Sequence, residues 1–500
     1  MVDLGAGRRR AWGRVVGVTT DRHTPGEPAR RPHILLILTD DHAAHAVGAY
    51  GSRITTTPHI DGIAERGVRL DRCFVTNSLC TPSRASILTG TYSHVNGVRT
   101  LSTPIDPSQP TFVSLLQEAG YRTGLVGKWH LGEGPAHQPQ GFDHWEILVD
   151  QGEYVDPTIV SPEGTRTEPG YATDVLTDLA LGWLDSLDGD EPWCLLLRHK
   201  APHRPWVPAP RHTDLFTDPV PLPETFEDDH TGRSQAVRDV WMSVAEHLTA
   251  EDLKVDPPTD LAGAELTRWK YQRWMEDYLR CVQAVDESVG RVVDTLTARG
   301  ELDDTVLAYS SDQGFFLGDH GWFDKRLMFE ESIRMPLVLS WPRGLPGGGV
   351  HDGIVSNVDL APTILEACGV PAHPRMQGRS FWRDLVGGDA PPPADGLYYR
   401  YWEHADGNHH APAHYGYRTE RHKLVYYYND PLGLPGTTGG PGEPEWELYD
   451  LRADPAELRN VADDPGYADV REELEARMWR AQAELGDEPH PSQPVPRLLR

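Results

Sequence analysis

The chain has 500 residues, enough for a large buried core, and its 47 basic against 75 acidic side chains leave a formal charge of -28. That balance argues against nucleic acid as a partner and, more weakly, against a long groove holding an extended polyanion. No apolar run reaches the length of a membrane span, and the five cysteines (Cys73, Cys80, Cys194, Cys281 and Cys368) follow no disulfide spacing.

Residues 1–31 read as a disordered N-terminal extension. Arg8-Arg9-Arg10 precedes a short apolar stretch that Arg14 interrupts, which makes neither a secretory nor a twin-arginine signal, so cytoplasmic residence is the expectation. His33 to Leu38 is an apolar run of strand length that ends in Thr39-Asp40-Asp41. Cys80-Thr81-Pro82-Ser83-Arg84 then opens a helical segment closing at Leu88-Thr89-Gly90, with seven fixed positions of eleven in the pattern C-x-P-S-R-x-x-x-L-T-G. Tyr121 to Gly127 is a further strand leading into Lys128-Trp129-His130-Leu131-Gly132. Alternation along an extended segment puts Lys128 and His130 on one side.

Trp193 to Leu197 is the next strand, followed by Arg198-His199-Lys200-Ala201-Pro202-His203 and a long Pro-rich loop to Phe226. Valines and Tyr278 at helical spacing predict a helix over 269–296, stopped by Arg299-Gly300. It feeds the strand Thr305 to Tyr309, which ends in Ser310-Ser311-Asp312-Gln313. Gly318 to Arg326 carries Lys325, and Asp359 suits a helix cap. Pro391-Pro392-Pro393 marks a linker, after which three strand-like runs and a helix over about 469–485 form a smaller unit. The reading is an α/β chain with a doubly wound sheet over 32–390 and a C-terminal antiparallel-sheet-plus-helix subdomain over 395–490.

Two polar clusters, Asp40-Asp41 and Asp312-Gln313, sit just past strands of this kind, where open α/β sheets place ligands. Four oxygen-bearing side chains suit a hard cation, Ca2+ or alternatively Mg2+. Either pair alone reads equally well as a solvated turn or a cap. One histidine among 23 is more often structural than catalytic, so each carries weight only through its surroundings.

The C-x-P-S-R-x-x-x-L-T-G segment, together with Gly127-Lys128-Trp129-His130-Leu131-Gly132, resembles the signature elements of the formylglycine-dependent (type I) sulfatases. These belong to the alkaline-phosphatase-like superfamily, and the resemblance spans residue 32 to about 485. It implies that Cys80 is oxidised to formylglycine by a formylglycine-generating enzyme, giving an aldehyde hydrate as nucleophile. It implies Asp40, Asp41, Asp312 and Gln313 as metal ligands, with Gln313 where many relatives carry Asn. Arg84 would brace the hydrate and the metal site, and Lys128 and Lys325 would hold sulfate. His130 would take a proton and His203 would protonate the leaving group.

The segments Lys200 to Trp206 and His410 to Gly416 resemble the bacterial branch that removes 6-O-sulfate from N-acetylglucosamine in glycosaminoglycans, with His414 as the sugar contact. The Gly-rich stretch from Thr437 to Glu443 reads as an insertion relative to that branch. The expected partner is therefore a sulfated small molecule or glycan end. The alternatives are a phosphonate monoester hydrolase or phosphodiesterase using the same nucleophile, and an aryl or choline-type sulfatase.

Overall fold

The strand His33–Thr39 is buried at every position, so both of its faces must be covered by protein. In the computed structural model it lies at the centre of a sheet, parallel on one side to Thr305–Ser311 and on the other to Trp193–Arg198. The structure describes residues 31–500 except 190, 390, 391 and 393. The expected N-terminal extension, apart from Arg31, and most of the expected Pro linker therefore lie outside the described residues.

The sheet has ten strands, in the order Gly349–His351, Val68–Leu70, Leu337–Ser340, Thr305–Ser311, His33–Thr39, Trp193–Arg198, Arg122–Lys128, His144–Leu148, Thr158–Ser161 and Gly164–Thr167. The five from Thr305–Ser311 to His144–Leu148 run parallel. Antiparallel pairing flanks them, through Leu337–Ser340 on one side and Thr158–Ser161 on the other. Alternation divides the central strands between two cores. Ile34, Leu36, Cys194 and Leu196 face one core, built with the helices Cys80–Thr89, Phe112–Glu118 and Leu360–Ala367. Leu35, Ile37, Leu195 and Leu197 face the other, under the helices Ala172–Asp185 and Gly263–Ala298. Helices on both faces make the sheet doubly wound, as the sequence pattern predicts. The long helix runs further at both ends than the 269–296 expected, because propensity continues past the last periodic apolar residue.

A second sheet pairs Gly396–Tyr401, His414–Thr419, His422–Tyr427 and Glu445–Asp450, all antiparallel. One face, with Tyr415, Tyr417, Leu424 and Leu448, packs against Leu474 and Met478 of the helix Ala468–Leu485. The other face, with Leu397, Tyr399, Tyr401, Val425 and Tyr427, joins the core of the large sheet. Residues 32–500 accordingly form one compact unit although the two sheets do not pair. Among the described residues no helix is long and apolar enough to cross a membrane.

Buried charge also ties the small sheet to the short helix Glu330–Ile333 that leads into the large one. The Lys423 ammonium, fully buried, lies 2.9 Å from Glu330 and 2.7 Å from Glu457. Arg418 reaches the second oxygen of Glu330 at 2.8 Å. Removing the central cation leaves Glu457 buried without a counter-charge, a loss of about 3–5 kcal/mol. Lys423→Met should therefore shift the urea unfolding midpoint down by that amount of stability; an unshifted midpoint would show that the network does not join the small sheet to that helix energetically.

Candidate active site

Parallel pairing in the register Thr39 with Ser311 sets Asp40-Asp41 beside Asp312-Gln313, one residue beyond the strand ends. Successive residues of a strand point to opposite faces, so two consecutive ligands need a break in the extension. Asp41 supplies it, with φ of 66°, a left-handed conformation that Asp tolerates better than most side chains. Carboxylate oxygens of Asp40, Asp41 and Asp312 all fall within 4.8 Å of one another, and each residue is at most 1% exposed.

Three carboxylates this close in a dry site resist joint ionisation. Burial, then the charge of Asp40, raises Asp312 to about 7, and burial raises Asp41 to about 6 against the pull of Lys325. Burial acts in the same sense on Asp40, but Lys128, His203, Arg84 and Lys325 together hold it well below the usual carboxylate range. Asp40 Oδ1 and Gln313 Oε1 are buried acceptors with no hydrogen-bond partner, while Gln313 Nε2 donates to Asp41. A turn of that amide would present its oxygen to the same centre. The donor set is all oxygen and unpartnered at two atoms, so it fits a divalent ion such as Ca2+ or Mg2+.

Cys80 begins the helix Cys80–Thr89, whose first N–H groups and dipole favour negative charge at that end. It is 1% exposed, with Sγ 3.8 Å from Gln313 Nε2, and burial pushes its thiol up. An unmodified thiol there is a poor nucleophile, because the thiolate is the reactive form. One turn on, Arg84 donates from Nε to Asp312 at 2.9 Å and from Nη1 to the Lys128 carbonyl at 3.0 Å. It locks the helix to two strand ends at once.

Lys128 is the last residue of its strand, and its ammonium bonds Asp40. Gly127 before it has φ of 109°, and a Cβ there would lie 1.9 Å from the Arg198 carbonyl, so only glycine lets the two strands approach. Lys325 grips both oxygens of Asp41 at 2.6 and 2.7 Å. His203 gives its Nδ1 proton to the Arg204 carbonyl at 2.8 Å, leaving Nε2 3.7 Å from Asp41. His130 has φ of 52°, so simple alternation from Lys128 fails there. Its ring meets Thr81 Oγ1 at 3.3 Å and Gln151 at 3.1 Å.

The structure thus gathers Cys80, Arg84, Lys128, His130, His203, Lys325, Asp40, Asp41, Asp312 and Gln313 into one region. It does not open His414 to a ligand. That ring is fully buried in the small sheet, Nδ1 bonded to the Pro412 carbonyl at 2.7 Å, with Tyr399, Tyr401 and Tyr427 centred 5.6, 5.2 and 5.0 Å away. A sugar contact would require an exposed edge, so the expectation for His414 is corrected to a core position.

Four residues were missed by sequence reasoning. Gln151 accepts from Lys128 as well as bonding His130. Asp324 and Arg326 flank Lys325, with Arg326 Nε 3.3 Å and His409 Nε2 3.2 Å from Asp324. The signal for Asp324 and Arg326 was adjacency to Lys325; Gln151 and His409 carry none.

A nucleophile position at a helix N-terminus, a carboxylate cluster at two strand ends and converging lysines define a hydrolase for esters of a tetrahedral oxyanion. The family model described as Sulfatase matches residues 32–370, and one described as N-sulphoglucosamine sulphohydrolase, C-terminal, matches 318–484. The chain belongs to the sulfatase family, the sulfuric ester hydrolases of the alkaline-phosphatase-like superfamily. It is 40% identical to an N-acetylglucosamine-6-O-sulfatase of Bacteroides thetaiotaomicron, over 92% of this chain and 88% of that one. It is 30% identical to the N-acetylglucosamine-6-sulfatase of Homo sapiens, over 72% of this chain and 65% of that one. A protein solved in complex with its substrate, D-glucosamine-2-N,6-O-disulfate, superposes with a TM-score of 0.86 at 40% identity, over 91% of this chain and 98% of that one. A phosphonate monoester hydrolase of Agrobacterium radiobacter shares the fold, with a TM-score of 0.69 at 22% identity, over 93% of this chain and all of that one.

If the oxygen cluster is a cation site, Ca2+ or Mg2+ should raise the thermal unfolding midpoint of the protein. At a hundredfold excess over its dissociation constant the gain should be about 2.7 kcal/mol. Asp312→Asn and Asp41→Asn should abolish that increment. Its survival in both variants would place the cation elsewhere.

Proposed function

We propose that this sulfatase removes the 6-O-sulfate from N-acetylglucosamine or a related glucosamine at the end of a sulfated glycan. The observation that carries the reading is the convergence of Lys128, Lys325, Arg84, His130 and His203 on Cys80 and the carboxylate cluster. The likeness to an N-acetylglucosamine-6-O-sulfatase over nearly the whole of both chains supports the sugar. The family implies a bound metal ion and formylglycine.

Oxidised by a formylglycine-generating enzyme and hydrated, position 80 would supply the oxygen nucleophile, while a cation on Asp40, Asp41, Asp312 and Gln313 would neutralise sulfate charge. The chain's own residues do the rest. Lys128 and Lys325, both buried, supply the fixed positive charge that draws a sulfate out of water. Arg84 keeps Asp312 and the nucleophile's helix in register. His203 is oriented by its Nδ1–H bond to the Arg204 carbonyl, so its Nε2 is the atom that, as an imidazolium, can give a proton to the departing alkoxide. His130 stands beside Thr81, as the acceptor of the proton released when sulfate is expelled. Asp324, Arg326 and His409 form a buried polar cluster next to Lys325.

Protein whose Cys80 peptide mass shows formylglycine should release sulfate from N-acetylglucosamine 6-sulfate. Cys80→Ala should be slower by roughly a thousandfold or more. Equal rates would sink the nucleophile assignment, and no release from fully converted protein would sink the sugar assignment alone. Cys80→Ser has one hydroxyl where the hydrate has two. It should accept sulfate without expelling it, so its peptide mass should rise by one sulfuryl group after incubation with substrate.

A further inference from the structure

Gln151 lies in no motif, yet its side chain is the only bridge between Lys128 and His130 recorded among the described residues. Lys128 Nζ bonds Gln151 Oε1, and Gln151 Nε2 stands 3.1 Å from His130 Nε2. An ammonium carries donors and no acceptor, so the amide must turn its carbonyl toward Lys128. The NH2 group then faces His130, and a donor can bond Nε2 only through that nitrogen's lone pair. The other ring nitrogen, Nδ1, is left to hold the proton and give it to Thr81 Oγ1 at 3.3 Å. The chain of obligations runs from one fixed donor to one ring atom.

From this geometry we infer that Gln151 is a positioning residue that sets the tautomer of His130, keeping Nε2 as its unprotonated nitrogen. A fixed tautomer decides which ring nitrogen can take a proton in sulfate expulsion, so the inference rests on the role given to His130 above. The Gln151 backbone is itself held, its carbonyl accepting from Lys200 Nζ at 3.2 Å, and Lys200 also reaches the Arg204 carbonyl at 3.3 Å. One lysine thereby ties the segments that carry His130's partner and His203. Burial, and then the charge of Lys128, keep the His130 ring neutral. The Asp150 carboxylate, 3.7 Å from Nε2, would favour the opposite tautomer but is largely exposed and therefore weak.

Gln151→Glu tests this with almost no change of shape. A carboxylate only accepts, so with Lys128 on one oxygen the other can bond His130 only if Nε2 carries a proton. Thr81 can follow, since a hydroxyl donates as readily as it accepts. Nitrogen NMR of histidine-labelled, formylglycine-containing protein reads the two ring nitrogens, with His130 identified by loss of its signals in His130→Gln. The parent protein should show Nε2 unprotonated and Gln151→Glu should show it protonated, with kcat lower by roughly a hundredfold and KM within about twofold. A protonated Nε2 in the parent, or an unprotonated one in the variant, would overturn the assignment. So would a normal kcat in a variant whose tautomer has inverted. The role of His130 itself is judged separately, by sulfate release in His130→Gln. Full activity there would remove the base while leaving the tautomer assignment standing.

Discussion

Like charge held out of water is the constraint on which the rest of this structure depends. Parallel pairing brings the ends of two strands together, and with them three carboxylates that no solvent screens. Such a cluster is tolerable only with cations fixed around it, and each cation is delivered by a different element: Arg84 by a helix, Lys128 by a third strand end, Lys325 by a loop. The surrounding fold has to be rigid because each of these charges is costly if displaced. The same arrangement concentrates positive potential where a sulfate would sit, in a chain whose net charge is strongly negative.

The two-sided core follows from that need. A slip of one residue would carry every side chain of these strands into the opposite core, so packing on both faces fixes the register and their ends stay where the chemistry requires them. The helix beginning at Cys80 belongs to one core and the long helix Gly263–Ala298 to the other. The sheet between them is clamped. The small C-terminal sheet adds a third wall, and its inner face merges with the main core instead of resting on it. That merging explains the fate of His414, which sits where tyrosines from the two neighbouring strands close over it.

Around the nucleophile, hydrogen-bond direction matters as much as position. His203 is fixed by a carbonyl, which can only accept, and His130 by an amide whose orientation is forced by a lysine, which can only donate. Both neutral rings are thereby left with the proton on Nδ1 and the lone pair on Nε2.

Much of this protein was determined by local sequence. The Cys80 pattern, the aliphatic runs that end in Asp40-Asp41 and Asp312-Gln313, and the order of the lysine and histidine segments are short-range features. The constraint behind each lies within a dozen residues, so the α/β class, the family and the residues that the fold gathers into the candidate site could be read from them. Tertiary structure decided what depends on contacts between distant segments. Gln151 matters because its loop lies over Lys128, Asp324 because His409 meets it from a loop between two strands of the small sheet, and His414 is removed from the solvent by tyrosines that surround it in space. The left-handed turns at Asp41 and His130 also escaped periodicity, which presumes a regular backbone. A side chain's reach is set by what the folded chain packs around it, and no spacing along the sequence carries that information.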